Sequence, residues 1–324
     1  MEEHPAPKVY LTVPCYNEAS ILRDSMRTLL AKLDTLQTAG LASAESAVLC
    51  IDDGSADDTW AIIADAHRQA PERVLGIKLA ANCGHQKALL AGLMKAKDEA
   101  DCAISIDADL QDDIGVLDDF LREYRLGVDI VYGVRSDRSS DSLGKRLSAE
   151  GFYHFMAFMG AKVVFNHADY RLMSRRALQA LSEYPEVNLF LRGIVPMIGL
   201  RQSIVSYVRK PTARKTHYTL KKMLMLAWDG VSSFSIRPIR MISLLGLVIM
   251  VVNFLLILWY LHIKWIGAAV PGWTTLVMLV LALSSFQLLG IGLIGEYIGK
   301  VYLEVKRRPR YIAEDVLGGK PPTP

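Results

Sequence analysis

Two long stretches without a charged residue constrain this chain more than any other feature. Met241–Leu261 is 21 residues long and Trp265–Gly295 is 31, the second interrupted by Pro271-Gly272. At 1.5 Å per residue, a helix of about 20 residues crosses a hydrocarbon core of roughly 30 Å. The expectation is a transmembrane hairpin over residues 239–298, with helices at 239–261 and 273–298. Trp259, Tyr260, Trp265 and Trp273 cluster round the connection, as in an aromatic belt. A buried hairpin in a soluble protein is the alternative, but soluble helices seldom run this far without charge. The connection holds His262 and Lys264. The flanks hold Arg237 and Arg240 on one side and Lys300, Lys306, Arg307, Arg308 and Arg310 on the other. The positive-inside rule then places both flanks and the N-terminal part in the cytoplasm, on a multi-pass protein of the cell (inner) membrane.

Charge is distributed unevenly along the chain. Residues 1–200 carry 21 Lys+Arg against 29 Asp+Glu, and residues 201–324 carry 16 against 5. The basic part is also the apolar part, which points to a membrane surface rather than nucleic acid. Hydrophobic residues make up 51% of the chain, which excludes wholesale disorder. Cys15, Cys50, Cys83 and Cys102 form no C-x-x-C pair and read as reduced core thiols. No secretory signal peptide is expected, because Met1–Pro7 has no apolar run.

The first 200 residues alternate strand-like and helix-like runs. The strands are expected at Val9–Val13, Ala47–Ile51, Val74–Leu79, Cys102–Ile106 and Ile130–Tyr132. Helices are expected at Ser20–Ala39, Thr59–Gln69, Gln86–Ala96 and Val116–Arg125. This alternation implies an α/β fold with a mainly parallel sheet, whose ligands bind at the carboxyl ends of the strands. In Thr219–Phe234, Lys221 and Lys222 precede Met223, Leu224, Leu226 and Trp228. That pattern fits an amphipathic interfacial segment at 216–238, or else an ordinary surface helix. Residues 299–324 are expected to form a basic cytoplasmic tail, loose after Arg310.

Acidic residues gather at three expected strand ends: Glu18 after strand one, Asp52 and Asp53 after strand two, and Asp107, Asp109 and Asp112 after strand four. Crowded carboxylates repel one another unless a cation is present. Asp107-x-Asp109, with Gln111 two residues on, offers the hard oxygen ligands that Mg²⁺ or Mn²⁺ prefers. Alone, a D-x-D is more often a solvated acidic turn; directly after a buried strand, with Asp52-Asp53 at another strand end, it reads as a site. Arg135, Arg138, Lys145, Arg146 and Arg171 form a basic set, and arginine forks fit phosphate oxygens. A metal facing arginines suggests a diphosphate between them, the alternative being pairing with surface acids. His85 stands at a helix start, where it caps and packs the turn or helps hold a phosphate or sugar oxygen. P-loop, G-x-G-x-x-G, H-E-x-x-H and G-x-S-x-G motifs are missing.

With PCYNE at 14–18, DDGS at 52–55 and DADLQD at 107–112, the chain resembles the nucleotide-sugar transferases of glycosyltransferase family two, which have the GT-A fold. NCGHQKALLAG at 82–92, ADYRLMSRRAL at 168–178, SFSIRPIR at 233–240 and GEYIGKVYLEVKRRPRY at 295–311 are similar to segments of its polyprenyl-phosphate branch. That branch includes bactoprenol glucosyltransferases and, more distantly, dolichyl-phosphate mannose synthase. The resemblance implies a cytoplasmic GT-A domain at 1–215, with Pro14, Asn17, Glu18, Asp52 and Asp53 binding the nucleotide. It implies Asp107, Asp109 and Gln111 at the metal and donor diphosphate, Arg135 and Arg146 near the phosphates, and Asp169 and Arg171 near the sugar and acceptor phosphate. Two departures stand out: Asp113 replaces the family's usual proline, and His217 stands where a lysine is usual, with Arg214 and Lys215 beside it.

The expected function is metal-dependent, inverting transfer of a hexosyl group, glucose first, from a UDP-sugar to polyprenyl (undecaprenyl) phosphate at the cytoplasmic membrane face. Aminoarabinose, mannose or N-acetylhexosamine are alternative sugars, and homo-oligomerisation is left open. A processive polysaccharide synthase would need a Q-x-x-R-W segment, which is missing. A non-catalytic membrane scaffold would be expected to lose a metal carboxylate.

Overall fold

In a computed structural model, the described residues are 5–135, 167–187, 190–208, 272–322 and individual positions between 242 and 265. Arg138, Lys145, Arg146, Arg214, Lys215, His217, the 216–238 segment and most of the expected helix at 239–261 lie outside them.

Eight strands form one sheet: β1 (Val9–Cys15), β2 (Ala47–Asp52), β3 (Val74–Leu79), β4 (Cys102–Ser105), β5 (Ile130–Arg135), β6 (His167–Ser174), β7 (Gln202–Tyr207) and β8 (Ala313–Leu317). Their spatial order is β7-β5-β6-β4-β1-β2-β3-β8. The pairs β1–β2, β1–β4, β2–β3 and β5–β7 are parallel, whereas β4–β6, β5–β6 and β3–β8 are antiparallel. The central strands are buried on both faces, as their continuous apolar runs predict.

Helices α1 (Ala19–Thr38), α2 (Thr59–Gln69), α3 (His85–Glu99) and α4 (Leu117–Arg125) connect the first five strands. On α1, Leu22, Met26, Leu29, Leu33 and Leu36 are buried, following the three-and-four spacing of the sequence. Helix α3 sits close on β1 and β2 at Gly92, where a Cβ would lie 2.5 Å from Ile51 Cδ1 and 2.7 Å from Thr12 Cγ2. Two short helices follow β6, α5 (Arg175–Ser182) and α6 (Leu191–Met197).

Three strands depart from the sequence expectation. β6 and β7 fall where no strand was expected, and β8 lies in the segment expected to be loose. The segment after Arg310 is ordered by specific contacts. Ile312 O accepts from Ala80 N at 2.9 Å, Tyr311 is buried, and β8 pairs with β3. The buried Lys95 ammonium donates to Lys320 O and to Glu99, each at 2.9 Å. The edge of the sheet that β3 would otherwise expose is thereby covered.

The chain divides into two compact units. One comprises Met1–Tyr153, Lys162–Tyr218 and Arg307–Pro324, and the other His154–Ala161 and Thr219–Lys306. The second contains α7 (Trp273–Lys306), 34 residues long, so the second expected helix runs eight residues beyond its expected end at 298. It stops at Arg307, whose φ of 44° is left-handed. Among the described residues, no helix is long and apolar enough to cross a membrane. The expected hairpin therefore rests on the sequence.

Candidate active site

The carboxyl ends of β1, β2 and β4 open into a cavity of about 490 Å³. Its lining includes Pro14, Glu18, Asp53, His85, Asp107 and Asp109. The strand-end position expected from the sequence is therefore where these groups meet.

The loops after β1 and β2 are tied together by side chains. Asn17, at a φ of 55°, receives a bond on Oδ1 from Ala56 N at 2.9 Å, and its own N–H donates to Ser55 Oγ at 2.9 Å. Glu18 N donates to Thr59 Oγ1 at 3.0 Å, and Asp57 accepts from Ala19 N at 3.1 Å, capping α1. Gly54 has a φ of 65°, and a Cβ there would lie 2.6 Å from Asn82 N. The second loop thus packs directly on the turn before α3. Asp53 secures that turn, accepting from Cys83 N at 2.8 Å and Gly84 N at 2.9 Å, one on each carboxylate oxygen. Asn17 and Asp53, both expected to bind nucleotide, therefore hold the cavity's walls in place. Asp52 is fully buried: Oδ1 accepts from Ser55 N at 3.2 Å, and Oδ2 has no hydrogen-bond partner among the described residues. Burial raises its carboxyl above the usual range, against the opposing Ser55 bonds and the Lys78 charge.

After β4 the chain turns sharply, with Leu110 at a φ of 46° and Leu110 N bonded to Asp107 O at 3.1 Å. A leucine held there is a strained position of the kind found at functional turns. Asp107 keeps a side chain 45% exposed. Its carboxyl is raised by desolvation and by the neighbouring Asp112, Asp169 and Asp109, with His85 opposing. Gln111 Nε2 donates to Asp109 Oδ2 at 2.5 Å, so Gln111 orients Asp109. Asp113 caps the short turn before α4 through Gly115 N at 3.1 Å, which is what its substitution for proline does locally.

The basic residues are arranged differently from the expectation. Arg171 is only 1% exposed; its fork donates to Asp169 Oδ1 at 2.6 Å and Leu191 O at 3.4 Å. Its polar contacts are thus with the protein's own acid and backbone. Positions two apart on a strand share a face, so Asp169 and Arg171 on β6 are natural partners. Arg135 donates to Asp112 Oδ1 and to Tyr207 Oη, both at 3.3 Å, and stays 32% exposed. Arg192, which sequence reasoning missed, donates to Asp169 Oδ2 at 3.0 Å and is 37% exposed. His85 Nε2 lies 3.6 Å from Asp169 Oδ2 and 3.8 Å from Asp107 Oδ1. Burial alone would raise Asp169, but His85, Arg171 and Arg192 together hold its carboxyl well below the usual range.

Among the described residues, no group of three or more His, Cys, Asp or Glu side chains is placed to hold a metal ion. Asp107 and Asp109 nevertheless fit a hard divalent cation. Mg²⁺ sites are commonly built from one or two carboxylates completed by substrate phosphates, and these two line one cavity.

The family model for glycosyl transferase family 2 matches residues 10–182. The "Uncharacterized glycosyltransferase YkoT" of Bacillus subtilis (strain 168) is 49% identical over 307 residues, 94% of this chain and 90% of that protein. The prophage bactoprenol glucosyl transferase homolog of Escherichia coli (strain K12) is 37% identical over 312 residues, 95% and 99% of the two chains. The bactoprenol glucosyl transferase of Shigella phage SfII is 36% identical over 317 residues, 97% and 100%. Among solved structures, the mannosyltransferase PcManGT from Pyrobaculum calidifontis, in complex with GDP-Man and Mn²⁺, has a TM-score of 0.44 at 19% identity, covering 66% of this chain and 59% of that one. With a family match spanning β1 to α5 and relatives 36–49% identical over nearly the whole chain, this chain belongs to glycosyl transferase family 2 and is a glycosyltransferase.

Proposed function

We propose that this enzyme transfers a hexosyl group, glucose first, from a UDP-sugar to polyprenyl phosphate at a membrane surface, with a divalent cation at Asp107 and Asp109. The observation that carries the reading is the cavity that Asp107, Asp109, Asp53 and Glu18 line, on a chain 35–37% identical over nearly its full length to proteins named bactoprenol glucosyl transferase. A cation bound there would neutralise charge developing on the UDP leaving group. The chain's own groups bind and orient. Asp52 offers an unpartnered buried oxygen beside the nucleotide side, Gln111 orients Asp109, and Arg135 and Arg192 bring positive charge to the opposite side.

The proposed acceptor fits what its own reaction does not need. A sugar hydroxyl must lose its proton to a general base during attack. A phosphate monoester, with a second pKa of about 6, is already ionised at neutral pH. It needs cationic groups that offset repulsion from the donor diphosphate, and partly exposed arginines meet that need.

Membrane attachment is supported by the second unit's surface. Leu244, Val248, Phe254, Leu258, Trp259 and Trp265 are exposed, as are Leu276, Val280, Ile291, Ile294 and Ile298 on α7. Apolar exposure on this scale marks an interaction surface, and lipid fits two uncharged runs of this length. A Cβ on Gly290 would lie 3.6 Å from Ile242 Cγ2, which puts Ile242, at the start of the first run, beside α7. With basic residues on both outer flanks, the proposed topology is a two-pass hairpin with both termini cytoplasmic.

The test compares polyprenyl phosphate with polyprenol as acceptors under one detergent condition. Glycosylation confined to the phosphate is expected; appreciable glycosylation of the free alcohol overturns the proposed acceptor.

A further inference from the structure

Beyond the residues assigned to donor and metal, the geometry points to His85 as a positioning residue, one that ties the carboxylate of Asp107 to the rigid Asp169–Arg171–Arg192 cluster. This inference rests on the proposed cation site.

Three observations support it. First, the backbone that carries His85 is fixed. Asp53 grips Cys83 N and Gly84 N, and Gly84, at a φ of 95°, redirects the chain into α3. The imidazole therefore starts from a defined point at the cavity wall. Second, Nε2 lies between two carboxylates from different elements, 3.8 Å from Asp107 Oδ1 and 3.6 Å from Asp169 Oδ2. Asp169 cannot swing to meet it, because Arg171 holds Oδ1 at 2.6 Å and Arg192 holds Oδ2 at 3.0 Å. Third, the neighbouring Gln86 Oε1 accepts from Leu191 N at 2.9 Å, so the first turn of α3 is also latched to the start of α6. His85 and Gln86 together join three elements, β4's end, β6 and α6, at one point.

Asp107 has no comparable anchor of its own. Its residue opens a strained turn and its side chain is nearly half exposed, whereas Asp109 is oriented by Gln111. Without His85, Asp107 would sample several rotamers, and a cation would have to order it on binding. Groups behind a metal ligand act this way, and their loss commonly lowers metal affinity about 10–100-fold.

The experiment uses the full-length protein in detergent micelles. Binding of Mn²⁺ is followed by the loss of the free-ion electron paramagnetic resonance signal, with and without UDP. His85→Ala and His85→Phe remove the N–H, and Phe keeps the ring's bulk; His85→Gln retains a donor. The expected result is about a tenfold weaker Mn²⁺ affinity for the Ala and Phe variants and an affinity within about threefold of wild type for Gln. Turnover should follow the same order, with kcat falling more than the donor KM rises. If Ala fails to fold, the Phe and Gln pair decides. Equal Mn²⁺ affinity in wild type and His85→Phe overturns the role of His85 while leaving the cation site standing. Failure of the wild type to bind Mn²⁺ even with UDP removes the cation site and this inference with it.

Discussion

Along β1 and β2, Glu18 and Asp53 at the strand ends line the cavity, Asp53 with both oxygens bonded to the turn before α3, and Asp52 keeps one oxygen with no hydrogen-bond partner among the described residues. Along β6, in contrast, opposite charges are matched within the protein, Arg171 with Asp169, both buried. Asp107, at the end of β4, lies where the two regions meet. The difference separates two kinds of charge. Groups paired internally set the shape of the site, whereas groups left open determine what the site can receive.

The sharpest way to break this contrast is to unpair the buried cluster. Asp169→Asn leaves the Arg171 cation buried without its counter-charge, a loss of roughly 3–5 kcal/mol. Thermal unfolding should show a midpoint lower by on the order of 10 °C. Asp107→Asn, at an exposed carboxylate, should stay within about 0.5 kcal/mol of wild type. Equal destabilisation by the two changes would erase the distinction. Next in size is Asp109→Asn, which keeps the shape of an open carboxylate and removes its charge. Sugar transfer should fall by on the order of 10²-fold or more, about 2.7 kcal/mol in barrier. Near-normal transfer, or full activity in excess chelator, would contradict the cation site.

A smaller effect is expected where the two kinds of region touch. Gly54→Ala puts a Cβ 2.6 Å from Asn82 N at a left-handed position, which should cost about 1–3 kcal/mol and weaken donor binding. Isothermal titration with UDP tests it; unchanged affinity and stability would show that the two loops yield freely. Smallest is Lys95→Met. It removes the donor shared by Glu99 and Lys320 O, a loss of about 1–2 kcal/mol. Amide exchange should then quicken along Ala313–Leu317 while the cavity loops keep their protection.

The parallel core was legible because each strand there is a continuous apolar run followed by a polar strand end. The first four strands and helices fall within a few residues of their expected positions. β6 escaped because His167–Ser174 buries an aspartate and an arginine, so its run looks polar until their pairing is known. β8 escaped because Ala313–Leu317 carries Glu314 and Asp315, and its partner β3 is more than 230 residues away in sequence. At the site, the Asp residues were legible from their place after strands. The pairing of Arg171 with Asp169 and of Arg135 with Asp112 was not, because facing a ligand and facing a buried acid require the same residue type. The Asp169–Arg171 spacing of two on one strand was an available signal; the long-range approach of Arg192 offered none.

The measurement closest to the central claim is transfer of radiolabel into extractable lipid. Membranes containing the protein are incubated with undecaprenyl phosphate and each of a panel of labelled UDP-sugars, with and without chelator. The account predicts label in the lipid fraction from UDP-glucose, lost when divalent cations are removed. Lipid labelling by none of the sugars, or labelling indifferent to the chelator and to Asp109→Asn, would contradict it.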